Sequence, residues 1–376
     1  MREWLEPLAG WIVLAVTLLD VFLTVLYARA GTGLLAPRLA RGVWFVLRAL
    51  SGRRRTGILN FGGPVQLVAL VLMWAALLAL GAALVIHPGL GTGVQSSSGK
   101  TDTDFITALL VGGSSMSIVG ASDYGPTSSG YKLLFLFNSL VGMTVTSLTI
   151  TYVMQVYTAV RSRNTLALAM HAQSAETGDA AELIARWGAR GHFDSGHSDL
   201  STMAGDMAAI KESHHFYPLL LYFRFEEVFY APPRFLLVAL DAAALVRTAL
   251  DERELGWLQE SAALDELERT TTMLLRTLAE SSPALARTPV DMTRSNEIWS
   301  ARYALAVARM REAGIPTRTD QESGAREYAE LRARWQAEIE ALADALGWSR
   351  EEVDRPAREP VGSRVPGRGR GSHAAA

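Results

Sequence analysis

Two uncharged apolar runs, 64–86 and 133–160, constrain this 376-residue chain more than anything else in it. They are 23 and 28 residues long. About 20 residues at roughly 1.5 Å each cross a hydrocarbon core of about 30 Å, so both read as membrane-spanning helices. The stretch between them includes 101–126 (TDTDFITALLVGGSSMSIVGASDYGP), which is too polar and too rich in Gly and Ser to be another span. It divides into a helix-like half, 104–115, and an extended half, 116–126, that ends in a turn. Non-helical backbone at membrane depth must be buried in protein or line water, because an N–H or C=O left unpaired in lipid costs several kcal/mol. A half-helix followed by a peptide ribbon between two spans therefore reads as a pore loop. An ordinary surface loop is the alternative.

The residues favour the pore. Ser115-Met116-Ser117-Ile118-Val119-Gly120-Ala121-Ser122-Asp123, with Pro126 three positions on, resembles the potassium-channel signature T-M-T-T-V-G-Y-G-D-x-x-P. Met116, Val119, Gly120, Asp123 and Pro126 match it, and Ser115 and Ser117 keep the hydroxyl of a threonine. The resemblance covers roughly 64–160 and not the C-terminal half. It implies an outer helix, a pore loop and an inner helix. Since one loop supplies a quarter of each carbonyl ring, it also implies a homotetramer around the permeant ion. Ser117, Ile118, Val119, Gly120, Ala121, Ser122 and Asp123 would form the filter. Gly120 keeps a glycine where the backbone needs φ > 0. Ser122 replaces the second such glycine, at about 1–2 kcal/mol of left-handed strain. Ile118 loses the hydroxyl of the innermost ion site, and Ala121 loses the aromatic that braces the filter from behind. These departures imply monovalent cation conduction with reduced preference for potassium. Gly142, 24 positions past Ile118, stands where such channels place the inner-helix hinge; close helix packing is the other reason for a glycine there.

The span 133–160 carries Asn138, Ser139, Gly142, Thr144, Thr146, Ser147, Thr149 and Thr151, more polar groups than a helix meeting only lipid requires. Ser139, Thr146 and Thr149 are its candidate cavity-lining residues. Upstream, 8–28 is a further 21-residue apolar run interrupted by Asp20; Glu3 and Glu6 ahead of it, and its length, argue against a signal peptide. An intramembrane acid needs a partner, whether for an ion or proton role or for a hydrogen bond to a neighbouring helix. Residues 29–63 hold seven arginines and no acid, which keeps that loop cytoplasmic, and 34–50 within it suits an amphipathic interfacial helix. Arg161 and Arg163 then follow the last span directly. The expected arrangement is multi-pass in the plasma (inner) membrane, with the N-terminus and pore loop outside and the C-terminus cytoplasmic.

Past about residue 164 the chain turns rich in Ala, Leu, Glu and Arg with helical periodicity. Expected helices are 177–190, 199–214, 235–250, 255–280 and 290–313, with a long one to 346 behind the capping box Thr319-Asp320-Gln321-Glu322. No strand–glycine-loop–helix unit for nucleotide sensing is present in the sequence. His192, His197, His214 and His215 fit no zinc spacing. Trp187 and the aromatics from Phe216 to Tyr230 read as core or as an inter-subunit contact. With no cysteine, disulfides, thiolate metal sites and cysteine nucleophiles are excluded. A net charge of −2 gives no argument for nucleic acid, and no catalytic or cofactor-binding constellation points to an enzyme.

The expectation is thus an all-α membrane protein. It has an N-terminal helix and basic loop (1–63), a potassium-channel-type pore domain (64–163), an α-helical cytoplasmic domain (164–352) with no legible ligand, and a basic tail (353–376) available to lipid headgroups. A tetrameric cation channel, partnered by itself and by membrane lipid, is the function expected. A non-conducting scaffold or sensor on the same fold is the alternative.

Overall fold

The computed structural model of the protein describes residues 2–27, 33–51, 56–117, 120, 123–281 and 292–355. The chain forms two compact units, Met1–Ser162 with Glu212–Glu226, and Arg163–Lys211 with Glu227–Ala376.

In the first unit α1 (Arg2–Val21) closes in a π-helical turn, Phe22–Leu26, and is followed by α2 (Ala36–Ser51) and α3 (Gly62–Ile86). Short strand β1 (Val94–Ser96), α4 (Phe105–Met116), β2 (Tyr124–Pro126) and the 45-residue α5 (Ser129–Gln173) follow, α5 belonging to this unit as far as Ser162. Among the described residues, three helices are long and apolar enough to cross a membrane: α1 with its π turn, α3 with its flanking turns, and α5. α4, with 12 residues, is not. At about 1.5 Å per residue it reaches little more than half of a hydrocarbon core of about 30 Å.

Small residues set how these helices meet. Where α1 crosses α3, a Cβ on Gly10 would come within 2.7 Å of the Gly81 carbonyl oxygen, so the two backbones are in direct contact. Small residues serve helix association in lipid because burial of apolar surface gives no gain there, and close contact does. Gly112 repeats the device between α4 and α3, with its Cα facing the backbone of Ala83. Trp4, Leu8, Ile12 and Leu19 on α1, and Leu133, Leu136, Leu140 and Met143 on α5, are large apolar side chains left exposed. The α4 loop is closed at its base by the antiparallel pairing of β1 with β2, in register Val94↔Pro126 to Ser96↔Tyr124.

The second unit is built around α8 (Pro232–Ala249), nearly every residue of which is buried. α6 (Ala180–Trp187), α7 (Asp194–Phe216), α9 (Glu252–Gln259), α10 (Ala262–Ser281), α11 (Met292–Glu312), α12 (Gln321–Ala333), α13 (Gln336–Ala345) and the one-turn α14 (Arg350–Val353) make up the rest. The last turn of α7 belongs to the first unit. Asp241 on α8 accepts from Tyr328 Oη at 2.6 Å and from Arg332 Nη1 at 2.8 Å. Arg332, wholly buried, reaches Asp354 with its other amine at 2.7 Å, and Arg302 binds the same carboxylate at 2.6 Å. A buried charge without such partners would cost several kcal/mol, so these groups hold α8, α11, α12 and the end of α14 as a set.

Several boundaries differ from those read in the sequence. Residues 1–63 and 64–163 do not separate but pack as one unit, and Glu212–Glu226 joins them instead of the C-terminal domain. The long helix expected to reach 346 breaks at Arg334 and Trp335, and its cap is Asp320, whose carboxylate accepts from the Ser323 amide at 3.0 Å. The helix expected over 255–280 is two, divided at Glu260 and Ser261. The C-terminal tail does not begin at 353, since Val353 and Asp354 are tied into the second unit; 356–376 lie outside the described residues.

Candidate functional site

The site suggested by the sequence is the turn at the end of α4. The helix starts at Asp104, whose carboxylate accepts from the Thr107 amide at 2.9 Å, and it stops at Met116. Ser117 is already extended (φ −77°, ψ 142°) and exposed. Gly120 has φ +59°, the left-handed conformation that costs glycine little. Asp123 is exposed, and its carbonyl accepts from the amide of Ser97 at 2.7 Å and from its hydroxyl at 2.8 Å, which fixes the far end of the loop. Ile118, Val119, Ala121 and Ser122 lie outside the described residues.

α5 grips this turn from one side. A stripe of buried residues, Leu134, Asn138, Gly142 and Val145, runs along it at helical spacing. Asn138 Nδ2 donates to Ser115 Oγ at 2.9 Å, and Ser115 Oγ donates to the Gly112 carbonyl at 2.7 Å. One turn further, a Cβ on Gly142 would overlap the carbonyl oxygen of Met116 and come within 2.7 Å of its carbon. Close packing thus accounts for the glycine, and α5 runs unbroken through the position read as a hinge. Ser139 and Thr146, seven residues apart and on one face of α5, are exposed; Thr149 is half-buried. The Thr146 hydroxyl is satisfied by the Gly142 carbonyl at 2.8 Å.

Asp20 is fully buried. One carboxylate oxygen accepts from the Leu35 amide at 2.7 Å, ahead of α2, and the other from Trp74 Nε1 at 2.8 Å. It therefore caps α2 and ties α1 to α3, which is a hydrogen-bonding role between neighbouring elements.

Sequence reasoning missed the return of the 212–226 segment to the membrane helices. Tyr222 meets Trp44 of α2 with ring centroids 5.3 Å apart. Phe223 sits where a side chain on Gly63 would be and contacts Tyr157 of α5 at 5.7 Å. Tyr217 meets Tyr152 at 5.8 Å, and Tyr152 meets Trp74 at 6.4 Å, one step from Asp20. Arg224 Nη1 donates to Asn60 Oδ1 at 3.0 Å. The aromatic concentration was visible in the sequence, but its partners lie far upstream and no spacing rule reaches them. Among the described residues, no group of His, Asp or Glu could hold a metal ion.

No family model matches the chain, and no solved structure matches it. It is similar to an uncharacterized membrane protein, YdjJ, of Bacillus subtilis (strain 168), at 23% identity over 160 residues, which is 43% of this chain and 46% of that one. The chain thus matches under half the length of this curated relative. Together with the three apolar helices, the likeness identifies a membrane protein. The relative's description carries no activity, so function is argued from the geometry alone.

Proposed function

We propose that four copies of the chain form a cation channel of the potassium-channel type, with α4 as pore helix, residues 117–123 as filter and α5 lining the cavity. The observation that carries this reading is a helix too short to span, set between two that can, after which Ser117 is extended and Gly120 is left-handed. Backbone of that kind at membrane depth needs protein or water around it. The carbonyl end of α4 faces the turn, and the negative end of a helix dipole favours a cation. Asp123, exposed beside it, adds negative charge that concentrates cations at the mouth. The N-terminus and pore loop are outside and the arginine-rich loop with α2 is cytoplasmic. In keeping with this, Glu6 near the start of α1 pairs with His87 at the end of α3 at 2.7 Å, on the end that leads into the loop.

Selectivity between potassium and sodium is weak, because Ile118 and Ser122 leave fewer well-aimed carbonyls around the ion. Purified protein in liposomes tests the reading. Flux of both potassium and sodium, with a bi-ionic reversal potential near zero, is expected. Strong potassium preference would refute the selectivity argument. No cation flux under any condition would refute the channel and leave a scaffold or sensor working through the helical C-terminal unit.

A further inference from the structure

We propose that Asn138 positions the filter-bearing turn, doing from α5 what an aromatic at position 121 does in the signature this chain resembles. The proposal rests on the channel reading and adds to it a specificity-determining residue that lies outside the filter. Asn138 is wholly buried on a membrane-length helix, where an amide is costly unless it is used. Its Nδ2 is used: it donates at 2.9 Å to Ser115 Oγ, in the last turn of α4. Ser115 cannot drift in response, since its own proton goes to the Gly112 carbonyl at 2.7 Å. Gly112 in turn lies against the α3 backbone at Ala83, 2.7 Å from where its Cβ would be. The last turn of α4 is therefore clamped between α3 on one side and Asn138 with Gly142 on the other. The chain leaves the helix at Ser117, two residues past the clamp, and Gly120 follows three later. An error of position at Ser115 is carried to Ser117, where the chain leaves the helix, and in the proposed channel selectivity depends on where the backbone dipoles point.

A hydroxyl at 115 is what the clamp requires, and serine or threonine supplies it equally. Ala121 provides no ring, and the hydrogen bond from α5 is a polar contact that holds the last turn of α4. Asn138 acts through Ser115 and touches no ion, so it is a positioning residue.

The test uses the full chain, with Asn138→Leu, Ser115→Ala, the double variant and Ser115→Thr. Amide exchange of the 112–123 stretch reads position; the potassium-to-sodium flux ratio in liposomes reads its consequence. Loss of one hydrogen bond should speed exchange there about tenfold in Asn138→Leu, and at least as much in Ser115→Ala, which also gives up the bond to Gly112. The double variant should go no further than Ser115→Ala, which already removes the bond to Asn138. Exchange in α1 and α8 should be unchanged, and Ser115→Thr should match the wild type in both readouts. The flux ratio should shift in Asn138→Leu and in Ser115→Ala alike. Unchanged exchange, additive effects, or a wild-type flux ratio in both single variants would overturn the proposal. Absence of flux in the wild type would instead refute the channel, and the exchange measurements would still decide whether Asn138 sets the turn. Should Asn138→Leu fail to fold, the Ser115→Ala and Ser115→Thr pair carries the same decision.

Discussion

Trp74 donates its indole N–H to the Asp20 carboxylate at 2.8 Å, across 54 residues of sequence. The other carboxylate oxygen takes the Leu35 amide at 2.7 Å. A single acid thus joins α1, α3 and the start of α2, and its burial is offset by two short hydrogen bonds. Asp20→Leu should destabilise the protein by about 2–4 kcal/mol, because it leaves the buried Trp74 indole N–H unmatched at about 1–3 kcal/mol and the part-buried Leu35 amide at the low end of that range. Asp20→Asn keeps one acceptor and should cost less. Thermal melting in detergent measures both. An unaltered melting temperature in Asp20→Leu would mean that the two donors find water.

Gly142→Ala and Gly120→Ala should separate packing from backbone conformation. The first places a methyl on the Met116 carbonyl, so α4 or α5 must shift. Overpacking of this kind costs about 1–3 kcal/mol, so a lowered melting temperature is expected and, in the proposed channel, an altered flux ratio. The second meets open space but puts a side chain at φ +59°, at about 1–2 kcal/mol, and in the proposed channel should change flux with a smaller effect on melting. If Gly142→Ala left stability untouched and altered only opening, the hinge would be the better account of this glycine.

The spans, the half-helix and the helical character of the C-terminal half were legible because each is written in local periodicity and composition. Residues 64–86 and 133–160 lie inside α3 and α5, and 104–115 differs from α4 by one residue at each end. What local pattern could not supply was pairing. Asp20 announced that it needed a partner, but nothing in the spacing pointed to Trp74 or Leu35. Asn138 stood out only as one of many polar residues in its helix. The 212–226 segment reads by composition as part of a soluble helical domain, and only the tertiary contacts of Tyr217, Tyr222 and Phe223 assign it to the membrane helices.

The second unit should lose stability in acid through Asp354. Burial pushes its carboxyl up, but Arg332 and Arg302 outweigh burial and hold it below the ordinary value. A carboxylate held low in the fold contributes stability that is fully present above its unfolded value, near 3.8, and is lost as pH falls through the folded value. Melting should therefore be flat from neutral pH to about pH 5 and decline below about pH 4. Asp354→Asn should cost about 3 kcal/mol at pH 7, because it leaves Arg332 partly uncompensated, and should shorten the acid decline. An unchanged acid limb in that variant would assign the decline to other carboxylates.

Phe223 should be the residue whose loss releases the 212–226 segment. Its ring fills the space above Gly63 and meets Tyr157, while Tyr222 beside it holds Trp44. Removing a packed phenylalanine costs about 3–5 kcal/mol, and here the cavity would open between α3 and α5. Arg224, bonded to Asn60 at 3.0 Å, supplies a reporter. In Phe223→Ala, trypsin should cut after Arg224 several-fold faster than in the wild type, while cleavage in the second unit stays the same. Ring-preserving Phe223→Tyr should stay protected. If Phe223→Ala resisted trypsin as well as the wild type, Trp44 and Asn60 would be holding the segment without it.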